Sequence, residues 1–107
     1  MGQVQDKVLG AISERAEAAG FEYVTKPHWS NNGMVYLMKG FVTKLSISYD
    51  FQSGYAELNV YPEIHNAESA SLGKPLHKSL LFYADMQGAL LKIFEFIDNA
   101  GDAGKAA

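Results

Sequence analysis

The residues best suited to chemistry in this chain are its three histidines, His28, His65 and His77. His65 and His77 share one segment with Glu63 and Glu68, so two imidazoles and a carboxylate lie in the same stretch of chain, a donor set that suits zinc. Their spacing matches no metal motif. Ligands are pre-oriented by a His-x-x-x-His turn of helix or by Cys-x-x-Cys knuckles, and neither occurs, so ordinary surface histidines are expected and no metal or cofactor is implied. Nucleophilic catalysis is served no better. There is no cysteine and no Gly-x-Ser-x-Gly turn, and Ser53-Gly54 has the residue types of a hairpin turn. No glycine-rich phosphate loop is present either.

A second constellation points to binding rather than to bond-making. Tyr55, Glu57, Asn59 and Tyr61 alternate with Ala56, Leu58 and Val60, so the two tyrosines share one side of a strand with Glu57 and Asn59 between them. Lys44, Ser46 and Ser48 alternate with Leu45, Ile47 and Tyr49 in the same way and are expected to face them from the neighbouring strand, with Lys44 ion-paired to Glu57. Tyrosine on a rigid strand offers a large amphipathic surface with few rotors to immobilise, which is what a protein-binding patch requires. The competing explanation is that tyrosine simply favours strands. Trp29, in the loop Pro27 to Gly33, is a second candidate anchor unless it folds back onto the core.

These side chains are positioned by elements legible from period and punctuation. Val4, Val8, Ala11, Ile12, Ala16 and Ala19 recur at helical spacing over Gln3 to Ala19, and Gly20 supplies a left-handed stop. Strands are expected from Phe21 to Lys26, from Met34 to Met38, through Leu45, Ile47 and Tyr49, and from Tyr55 to Tyr61. A further edge strand is expected over Ser79 to Ala84. A second helix follows Asp85, with Met86, Leu90, Ile93, Phe94 and Ile97 as its apolar stripe and Gly101 as its end. The 62–78 stretch has no clear period and reads as a long loop. The expected fold is α+β, a two-layer sandwich in which an antiparallel sheet of four or five strands carries N- and C-terminal helices on one face. Residues 1–101 form one domain and 102–107 a disordered tail.

Composition bounds what such a domain does. With 48% hydrophobic and 20% charged residues the chain is an ordinary globular protein, and 107 residues suffice for one core. The net charge of −3 is of the wrong sign for phosphate binding, so a nucleic-acid role would need a local basic patch. The helix–sheet–helix order is similar to that of double-stranded-RNA-binding domains. Asp85-Met86-Gln87-Gly88-Ala89, however, lacks the lysine cluster with which such modules hold phosphates. No apolar stretch approaches the ~20 residues of a bilayer span, and the absence of cysteine fits a cytoplasmic setting. The reading that follows is a non-enzymatic protein-binding module: an adaptor, a chaperone-like factor or a small stoichiometric inhibitor. Homodimerisation by sheet edge or face is compatible with it. The alternative is a small-ligand or metal-assisted enzyme using the 62–78 loop, and the third reading is a nucleic-acid-binding domain.

Overall fold

The computed structural model describes residues 2–62 and 75–106, with side chains described for 3–62 and 75–101. Helix α1 (Gly2–Ala18) is followed by strands β1 (Glu22–Pro27), β2 (Asn32–Lys39), β3 (Val42–Phe51), β4 (Tyr55–Tyr61) and β5 (His77–Phe82). A 3-10 turn, Tyr83–Asp85, leads into helix α2 (Met86–Ala106). The five strands form one antiparallel sheet in the order β1-β2-β3-β4-β5. Both helices cover the same face, giving the expected α+β sandwich.

Alternation builds the inner layer. Leu45, Ile47, Tyr49 and Phe51 of β3 and Ala56, Leu58 and Val60 of β4 are buried, together with Val35 and Leu37 of β2 and Leu81 of β5. Against them pack Val8, Ile12 and Ala16 of α1 and Ile93 and Ile97 of α2, at the spacing that keeps one helix face on the sheet. Among the described residues, no helix is long and apolar enough to cross a membrane.

The chain turns where backbone chemistry permits. Gly20, at φ 90°, closes α1 in a Schellman arrangement: its N–H donates to Glu17 O (3.0 Å) and the Phe21 N–H donates to Ala16 O (2.9 Å). Gly40 and Gly54, at φ 63° and 88°, supply the left-handed backbone of the β2–β3 and β3–β4 turns. Gly101 behaves differently from expectation, because it lies inside α2 and residues 102–106 continue the helix. A Cβ there would stand 3.0 Å from Ala19 O and 3.2 Å from Ala19 Cβ, so its role is close helix approach.

Candidate functional site

The register defines what the uncovered face of the sheet presents. Across β1 to β4 one row reads Val24, Tyr36, Ser46, Tyr61. The next, from β1 to β5, reads Lys26, Met34, Ser48, Asn59, Lys78. A third holds Asp50, Glu57 and Leu80, and a fourth Tyr55 and Phe82. Tyr55, Glu57, Asn59 and Tyr61 therefore share the face to which period-two patterning assigns them. Tyr55 rests against Phe82, with ring centroids 6.3 Å apart.

The face is less polar than the alternation in β3 and β4 implies. β2 contributes Met34, Tyr36 and Met38, all partly exposed, and β5 contributes Leu80 and Phe82, each 56% exposed. Ser46, expected to be solvated, is fully buried beside Tyr36 and Tyr61. Its Oγ and Asn59 Oδ1 have no protein hydrogen-bond partner among the described residues. Burial without a partner leaves a polar group's desolvation uncompensated.

Lys44 does not meet Glu57. The tight turn, in which the Gln52 N–H donates to Tyr55 O (2.8 Å), sets a register that puts Asp50 opposite Glu57 and Ser46 opposite Tyr61. Lys44 consequently lies past the end of β4. Two acids facing one another repel, and here the Asp50 carboxylate accepts hydrogen bonds from Gln52 Nε2 (2.8 Å) and Asn31 Nδ2 (3.5 Å), which disperse its charge. Glu57 in turn lines an open depression of about 390 Å³ along β5, with Lys78, Ser79 and Leu80.

Trp29 does not fold back onto the core. Its backbone N–H donates to both the carbonyl and the side-chain oxygen of Asn32 (3.2 Å each), and the residue is 74% exposed. At the other end of the sheet Phe41, beside Gly40 in the β2–β3 turn, is completely exposed. Sequence reasoning missed Phe41, because a turn residue lies outside both periodicities.

The loop alternative is only partly visible. Glu63, His65 and Glu68 lie outside the described residues. His77 stacks on Phe96 of α2, centroids 5.5 Å apart, and Lys92 lies 6.0 Å from the same ring centroid. No group of three or more potential metal ligands occurs among the described residues. Tyr23, on the inner side of β1, has its phenol pushed up to about 12, first by burial and then by the neighbouring Tyr49. Neither tyrosine touches the outer rows, so this shift concerns the core and not the candidate site.

Comparison with family models, with curated proteins and with solved structures finds no significant match to this chain.

Proposed function

We propose that the chain is a non-enzymatic protein-binding module, an adaptor, chaperone-like factor or stoichiometric inhibitor, and that the outer sheet face is its docking surface. The observation that carries this reading is the mixed character of that face. Met34, Tyr36, Met38, Tyr61, Leu80 and Phe82 are presented on a hydrogen-bonded sheet with no helix over them among the described residues. Rigid aromatic and adaptable thioether side chains presented on one sheet face among polar neighbours are the kinds of side chain that protein interfaces bury at their centres. A cytoplasmic setting belongs to the same reading. Nucleic acid is disfavoured, because Lys26 and Lys78 share the face with Glu22, Asp50 and Glu57 and make no basic patch.

The test is titration of a partner isolated from the native host against Tyr55→Ala, Tyr61→Ala and Lys44→Ala at two salt concentrations. Each tyrosine variant is expected to weaken the complex by about 1–2 kcal/mol or more with little salt dependence. Unaltered affinity in both tyrosine variants would remove the outer face as the docking surface. Steep weakening with salt would point to phosphate contacts instead.

A further inference from the structure

The two edges of the sheet differ in a way that bears on assembly. β1 carries Glu22 and Lys26 and ends in Pro27, the charge and missing donor with which sheet proteins discourage strand addition. β5 reads His77-Lys78-Ser79-Leu80-Leu81-Phe82, with Leu80 and Phe82 each 56% exposed and no proline. Among the described residues no strand pairs with its outer side.

Hydrogen-bond phase shows which backbone groups that edge offers. The Tyr83 N–H donates to Gly54 O (3.2 Å), which continues the register Tyr55↔Phe82 and Ala56↔Leu81 by one residue. Antiparallel ladders alternate bonded and non-bonded pairs, so His77, Ser79 and Leu81 address β4, and Lys78, Leu80 and Phe82 turn their N–H and C=O groups away from the sheet. Leu76 is excluded from that free set, because its N–H donates to Val60 O (2.7 Å). The free edge is thus centred on Leu80.

We infer that this edge pairs antiparallel with the same edge of a second copy of the chain, about a twofold axis at Leu80, so that one sheet runs through a homodimer. An isologous contact must be self-complementary, and this one is. Leu80 meets Leu80 of the second copy on the axis. Lys78 falls opposite Phe82 of the second copy, where its ammonium meets the electron-rich face formed by Phe82 and Tyr55. The same pairing repeats on the other side of the axis. No like charges are placed opposite one another, and the uncovered leucine and phenylalanine gain apolar neighbours. The inference shares Leu80 and Phe82 with the outer-face reading but concerns the β5 backbone edge and a second copy of the chain, and it is tested by mass rather than by titration.

The experiment is the molecular mass of the full 107-residue chain by light scattering over a range of concentrations, with variants at Leu80. A mass of twice 11.7 kDa is expected for the wild type. Leu80→Lys, which sets two ammonium groups against each other on the axis, is expected to give a monomer with an unchanged circular dichroism spectrum. Because the chain has no cysteine, Leu80→Cys supplies an independent reading: bonded antiparallel pairs stand about 5.5 Å apart between Cα atoms, within the span of a short bismaleimide, so that reagent should link two chains covalently. Thr25→Cys on β1 should remain unlinked. A monomeric wild type at every concentration would overturn the inference. So would a dimer in which Leu80→Cys fails to cross-link, or one in which Thr25→Cys links as readily. Should Leu80→Lys fail to fold, the cross-linking pair decides alone.

Discussion

A Cβ placed on Gly10 meets nothing within 4 Å, whereas one on Gly33 would stand 2.7 Å from Lys26 O, Pro27 Cα and the Tyr49 hydroxyl oxygen. Gly10 sits exposed within α1, so it serves no close approach and leaves only the backbone entropy of a glycine in a helix. Gly10→Ala should therefore raise stability by about 1 kcal/mol, and Gly33→Ala should lower it by about 1–3 kcal/mol through overpacking. Urea denaturation of both variants checks this, and opposite signs are required. Ser46 is the third informative residue. Its buried, unpartnered hydroxyl means that Ser46→Ala should leave the denaturation midpoint unchanged or raise it, whereas Leu58→Ala on the inner face should cost about 2–5 kcal/mol. Equal losses in the two variants would contradict the assignment of faces.

At the level of elements, legibility followed periodicity. β3 and β4 alternate cleanly, and their inward residues Leu45, Ile47, Leu58 and Val60 are buried as period two requires. Met34, Val35, Tyr36, Leu37 and Met38 are apolar at both parities, so nothing in β2 alone marks Met34, Tyr36 and Met38 as outward, and the same is true of Leu80 to Phe82 in β5. Only pairing with β3 and β4 decides it. The site shows the same division. Tyr55, Glu57, Asn59 and Tyr61 were legible because one strand determines them, but the partner of Glu57 was not, because register depends on turn geometry that side-chain alternation does not encode. The inner side of β1 carries a consequence for alkaline pH. Tyr23 has a folded-state pKa of about 12 against an ordinary 10.0, so the fold prefers its neutral phenol. The associated stability is fully present below pH 10.0 and is lost as pH rises through about 12. Tyr23→Phe should move alkaline unfolding, followed by circular dichroism, to higher pH. An unchanged alkaline midpoint would show that Tyr23 ionises without cost to the fold.

At the scale of the whole molecule, the two ends of the chain are held together by a polar contact as well as by the core. Arg15 of α1 donates from Nε to Asp98 Oδ1 of α2 (2.9 Å) and pairs through Nη2 with Oδ2, while its guanidinium lies 5.3 Å from the Phe94 ring centroid. The fork geometry engages both carboxylate oxygens, so the pair orients one helix against the other. Close approach of Gly101 in α2 to Ala19, just past the end of α1, adds a second point of register. The hydrogen bond from Arg15 holds the Asp98 carboxyl below its ordinary value of 3.8. A depressed carboxylate pKa contributes stability that is present above 3.8 and disappears as pH falls through the lower folded-state value. Both side chains are substantially exposed, so solvent and salt screen the interaction and its contribution is small. Asp98→Asn should accordingly lower the melting temperature slightly at neutral pH and low salt, by less as salt rises, and should converge on the wild type in acid, where the native carboxyl is itself protonated. Scanning calorimetry of both proteins across this pH range makes the comparison, and a deficit in the variant that persisted undiminished in acid would assign the role of Asp98 to packing rather than to its charge.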